Sequence, residues 1–143
     1  GSTIYDDYVE ANEENYFDKK FYGLVDDRGN IQALSEINEG DKELNFYDPE
    51  LPNKDVFEIS YLNTNPKSNA NKEKREYKGL GTAMVRELVA LADRKKKKYV
   101  SLSDANYMFW CNMPFFEDKY NSQTRILEDK NYQECLKKLD ETI

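Results

Sequence analysis

Two glycines one residue apart, in Glu76-Tyr77-Lys78-Gly79-Leu80-Gly81-Thr82-Ala83-Met84, constrain this chain more than any other feature. They follow a basic, polar loop and lead straight into an apolar-periodic run from Ala83 to Leu91. Glycine lets the backbone turn sharply and come close to a ligand. A helix that begins at such a turn points free N–H groups outward, with the positive end of its dipole behind them. That geometry binds phosphate. The turn therefore points to a pyrophosphate-bearing cofactor. It is not a P-loop, because no Gly-Lys-Ser/Thr follows. It also lacks the third glycine of a dinucleotide fingerprint.

Composition narrows the chemistry. The 143 residues suit one domain, residues 1–143, with 1–20 as an uncertain acidic arm. Gly1-Ser2 without a methionine reads as the scar of a cleaved tag and leaves the natural start open. Seven phenylalanines and eleven tyrosines argue against a disordered chain. A net charge of −7 argues against nucleic acid as the main partner, because phosphate binding needs a basic face. Such a surface draws cationic substrates, although solubility alone also accounts for it. There is no histidine, so a His-ligated zinc site and a Ser-His or Cys-His pair are excluded, and no metal is expected. Cys111 and Cys135 form no close pair and read as cytosolic thiols. No apolar run approaches membrane-spanning length, so a cytoplasmic protein with no membrane partner is expected.

The order of elements follows from apolar periodicity. Phe21-Tyr22-Gly23-Leu24-Val25 and Ile31 to Ile37 read as strands joined by a tight turn at Asp26-Asp27-Arg28-Gly29-Asn30, a hairpin. Val56 to Leu62, rich in β-branched and aromatic residues, is a third strand. Asn63 to Lys74 is a polar loop leading to the glycine turn. Ala83, Met84, Leu88, Leu91 and Ala92 recur at helical spacing, widened by Val85 and Val89. The helix ends in Arg94-Lys95-Lys96-Lys97-Lys98, cations that offset its dipole. Tyr99 to Leu102 is a strand, and the strand–helix–strand order makes it parallel to the third. Met113 to Tyr120 reads as a short helix with Pro114 in its first turn. Arg125 to Leu127 and Tyr132 to Leu139 read as a closing C-terminal hairpin turned at Asp129-Lys130-Asn131, with a helix over 128–140 as the rival.

The fold class is therefore α/β (α+β). A mixed central sheet has antiparallel N-terminal strands, a β-α-β crossover carrying the glycine turn, and a C-terminal hairpin. This order resembles the GCN5-related N-acetyltransferase (GNAT) superfamily over residues 21–139. The superfamily signature is Gln/Arg-x-x-Gly-x-Gly/Ala. Here Glu76-Tyr77-Lys78-Gly79-Leu80-Gly81 stands in its place, with Glu76 for the leading residue and Arg75 one position earlier. Pro114-Phe115-Phe116-Glu117-Asp118-Lys119-Tyr120-Asn121 resembles the family's later aromatic segment. Phe57-Glu58-Ile59-Ser60-Tyr61-Leu62 resembles the fourth strand of its histone-type members.

The resemblance implies acetyl-CoA as co-substrate. Its pyrophosphate would rest on the backbone N–H groups of Gly79, Leu80, Gly81, Thr82 and Ala83. The pantetheine arm would pair with Leu62, Asn63 and Thr64 where the parallel strands splay, and Asn106 would contact it too. An N–H near Leu62 would polarise the thioester carbonyl. Glu58 would take a proton from an incoming primary amine, directly or through water; the other reading is an edge-of-sheet glutamate in a salt bridge. Strand alternation puts Glu58 on the face of Ser60 and Leu62, opposite Phe57 and Ile59. The tyrosine that usually protonates the departing thiolate is replaced by Phe116, so Tyr120, one helical turn on, or Tyr107 would serve; both are also ordinary packing aromatics. The acceptor would be a cationic small molecule or a protein lysine or N-terminus, and a homodimer is open. The alternative function is a non-catalytic CoA-binding or protein-interaction module with the same fold, supported by Phe116 and Glu76.

Overall fold

The computed structural model describes residues 20–39, 51–64, 79–103, 107–119 and 124–142. Strands β1 (Lys20–Val25), β2 (Ile31–Glu39), β3 (Val56–Thr64), β4 (Tyr99–Ser103), β5 (Glu117–Lys119) and β6 (Thr124–Glu128) form one sheet in the order β1-β2-β3-β4-β6-β5. Among the described residues the α-helices are α1 (Leu80–Arg94), the single-turn α2 (Tyr107–Trp110) and α3 (Tyr132–Thr142). No helix among the described residues is long and apolar enough to cross a membrane.

The β1–β2 hairpin forms where the Asp/Gly/Asn cluster falls. The Asp26 carboxylate accepts from the amides of Arg28 and Asn30, both at 2.9 Å, and Gly29 supplies the positive φ of 85° that closes the turn. Those bonds, the one from Asn30 first, hold the Asp26 carboxyl at about 2, well below the usual carboxylate range. β2 and β3 run antiparallel, and β3 and β4 run parallel through the α1 crossover, as the periodicity implies.

α1 buries Met84, Val85, Leu88, Val89 and Ala92 against the sheet, the stripe its spacing predicts. Its end is a Schellman cap: Lys97 N–H reaches the Ala92 carbonyl and Lys96 N–H the Asp93 carbonyl, with Lys96 in the left-handed region. The lysine run is put to use here. Lys95 pairs with Glu39 of β2 at 2.8 Å, and Lys97 Nζ donates to the Lys54 carbonyl.

Two segments depart from the sequence reading. The arm 132–139 is not a strand but helix α3. Its buried residues Tyr132, Cys135 and Leu139 are three and four apart, a helical interval that strand alternation cannot match. α3 packs on α1, tied by Arg86–Asp140 at 2.9 Å and Gln133–Asp93 at 2.7 Å. The C-terminal hairpin exists, but β5 and β6 make it. The expected helix over 113–120 is likewise replaced. Phe115 takes φ 66°, the chain turns there, and Phe116 drops into the core before β5 begins. A left-handed residue cannot continue a right-handed helix, so Pro114 opens no helix.

Candidate active site

β3 and β4 pair only from Val56/Tyr99 to Ile59/Leu102. Beyond Ile59, β3 runs on to Thr64 with β2 as its strand partner on one side, while β4 turns its last residue to β6. The parallel pair therefore forks after four registered pairs. Leu62, Asn63 and Thr64 lie on the free prong, opposite Ser35, Leu34 and Ala33 of β2.

A bulge sits at the fork. Ile37 faces Ile59 but Glu36 faces Tyr61, so Ser60 has no counterpart on β2. Two serine hydroxyls fasten it: Ser60 donates to the Glu36 carbonyl at 3.1 Å and Ser35 to the Tyr61 carbonyl at 2.7 Å. A bulge bends its strand and shifts which side chains face which way. Leu62 consequently joins the helix-side core with Ala33, Ile37, Phe57 and Ile59. Glu58 does lie opposite Phe57 and Ile59, but Leu62 does not share its face, because alternation counted from sequence does not see the extra residue.

On the face away from the helices, direct cross-strand neighbours make a polar row: Asn38 on β2, Glu58 on β3 and Ser101 on β4. All three are buried, Glu58 at 3% exposure and Ser101 at 0%. Asn38 Nδ2 donates to Glu58 Oε1 at 2.9 Å. Glu58 is thus no edge glutamate in a surface salt bridge. It is a central-strand carboxylate oriented by an amide. Asn38 and Ser101 were not singled out from sequence, since nothing local links residues twenty and more positions apart.

α1 begins at the fork end of the crossover. Gly79 is its N-cap, with φ 74° and ψ 13°, and no side chain caps the helix. The first intrahelical bond is from the Ala83 amide to the Gly79 carbonyl, at 3.0 Å. Ala83 N–H is therefore taken, and the amides the helix leaves without an intrahelical partner are those of Gly79, Leu80, Gly81 and Thr82. Gly81 has a second reason to be glycine. A Cβ there would stand 3.0 Å from the Phe109 ring, which packs edge-on to Trp110 with centroids 4.8 Å apart. Trp110 in turn meets Phe116 at 5.8 Å. Phe116, the residue at the expected proton-donor position, is a buried plug of this aromatic stack. Asn106 and Tyr120 lie outside the described residues; Tyr107 is the first residue of α2.

A forked parallel pair, a bulge in its first strand and a glycine-started helix between them invite comparison with solved structures. The chain is similar to the KacTA–DNA complex, with TM-score 0.64, 11% identity, and coverage of 96% of this chain and 87% of that one. It is similar to AtaTR bound with AcCoA, with TM-score 0.59, 10% identity, and coverage of 91% and 80%. It is also similar to the GNAT family N-acetyltransferase YhbS from Escherichia coli in complex with CoA, with TM-score 0.55, 12% identity, and coverage of 87% and 67%.

The chain has the GNAT fold.

No protein-family model matches the sequence, and no curated protein matches it. The likeness thus lives in the course of the backbone, while about nine residues in ten differ. DNA, AcCoA and CoA are ligands of those neighbours.

Proposed function

We propose that this chain transfers the acetyl group of acetyl-CoA to a primary amine. The observation that carries the reading is the forked β3–β4 pair with the uncapped, left-handed Gly79 start of α1. In this reading the amides of Gly79, Leu80, Gly81 and Thr82, with the Thr82 hydroxyl, hold the diphosphate at the positive end of the helix. The pantetheine arm lies along Leu62, Asn63 and Thr64 as an added strand. A backbone N–H near Leu62 polarises the thioester carbonyl.

The acceptor amine arrives protonated, since its ordinary pKa is near 10. Glu58 takes that proton, directly or through water, and the free nitrogen attacks the thioester carbon. The C–N bond forms and the C–S bond breaks. The second proton of the nitrogen goes to the departing thiolate, and N-acetylamine and CoA thiol leave. Phe116 has no proton to give, so water or a nearby tyrosine completes that step. A net charge of −7 and Glu58 at the fork favour a cationic acceptor, a polyamine-like molecule or a protein lysine or N-terminus.

Release of CoA thiol with a panel of primary amines tests the activity. Glu58→Gln is expected to lower kcat by about a hundredfold or more, the usual contribution of a general base, with acetyl-CoA affinity intact. Unchanged turnover in that variant removes Glu58 from the chemistry.

A further inference from the structure

We infer that Ser101 is a positioning residue for the proton transfer: Ser101 and Glu58 hold between them the water that carries the acceptor's proton to the carboxylate. The inference rests on the acetyltransferase reading above and says by which route its proton moves. The Ser101 hydroxyl is fully buried on a central strand and has no hydrogen-bond partner among the described residues. Buried hydroxyls are almost always paired, and an unpaired one calls for a cause. Its direct neighbour across the parallel pair is Glu58, so both side chains rise from the same face, one residue inside the last pair before the fork.

The carboxylate is approached from two strands. From the β2 side Asn38 donates to Oε1, which fixes the plane of the group. From the β4 side stands Ser101, one donor and two acceptor positions on a short stem. A buried water needs two to four polar partners. The Ser101 hydroxyl, the Glu58 carboxylate and the amine nitrogen supply three. In the step itself the water accepts one proton from the ammonium nitrogen and gives one of its own to Glu58. The hydroxyl of Ser101 keeps its proton and only holds the water in line. A serine placed there for close packing alone would show none of this in kinetics.

Ser101→Ala, Glu58→Gln and the double variant decide the matter, with acetyl-CoA binding measured by calorimetry on the same samples. Ser101→Ala is expected to keep the wild-type unfolding midpoint and acetyl-CoA affinity, with the amine KM within about twofold and kcat down about tenfold, the worth of one hydrogen bond. Ser101→Thr, which keeps the hydroxyl, should recover most of the rate. The double variant should be no slower than Glu58→Gln alone, because both act on one proton. Should Ser101→Ala not fold, Ser101→Cys, with its weakly bonding thiol, is read the same way. Wild-type kcat in Ser101→Ala, or losses that multiply in the double variant, overturns the inference while the activity stands. A wild-type protein that binds acetyl-CoA but acetylates no amine overturns the route; one that gives no heat with acetyl-CoA overturns route and activity together.

Discussion

Gly79 and Gly81 look alike in the sequence and are glycine for different reasons. At Gly79 there is open space for a Cβ, but φ is 74°. At Gly81 the backbone is ordinary helix, and the obstacle is the Phe109 ring at 3.0 Å. Gly79→Ala should therefore cost about 1 kcal/mol in denaturant unfolding, the price of left-handed backbone for a side chain, and leave the aromatic stack alone. Gly81→Ala should push Phe109 against Trp110, the sole tryptophan, and change its fluorescence emission. Unchanged emission in Gly81→Ala, or a change in Gly79→Ala, would contradict this division. The glycine turn was legible because its reason is local. Phe109, Asn38 and Ser101 were not, since their partners come from other strands and helices, and residue type alone does not announce them.

At the scale of elements, apolar spacing identified β1 to β4 and α1, each of which sends apolar side chains into the helix-side core. It misread 113–120 and 132–139. The first depends on a single left-handed residue, Phe115, which no pattern of polarity marks. The second was written in helical intervals, Tyr132, Cys135 and Leu139, and short apolar runs invite either reading. The bulge at Ser60 was invisible for the same reason: one extra residue changes every facing beyond it. Elements are also joined by charge. Burial pushes the Glu39 carboxyl up, but hydrogen bonds from Lys95 at 2.8 Å and Lys20 at 3.2 Å outweigh it and leave it below its ordinary value. A carboxyl lowered in the folded state stabilises above its unfolded pKa, here near 4.5, and that contribution disappears as pH falls further. Glu39→Gln should thus lower the unfolding midpoint at pH 7 and flatten its decline below about pH 4.5. A slope as steep as wild type would show that the clamp between β2 and α1 is not its source. Asp26, held at about 2, keeps a residual acid limb in both proteins.

At the scale of the molecule, one sheet makes two different surfaces. The helix side is a continuous apolar core from Ala33 on β2 to Leu139 on α3. The other side buries a polar row, Asn38, Glu58 and Ser101, at the foot of the fork. A forked parallel pair and a helix that starts without a side-chain cap leave open backbone groups, and the proposed function assigns these to an extended, anionic cofactor. The direct measurement is a titration with acetyl-CoA followed by the backbone amide resonances of Leu80, Gly81 and Thr82. Saturable shifts at these three amides and along Leu62 to Thr64, with Ala83 less affected because its N–H is already bonded, are expected. Resonances of this turn that stay put while acetyl-CoA binds elsewhere, or not at all, would contradict it.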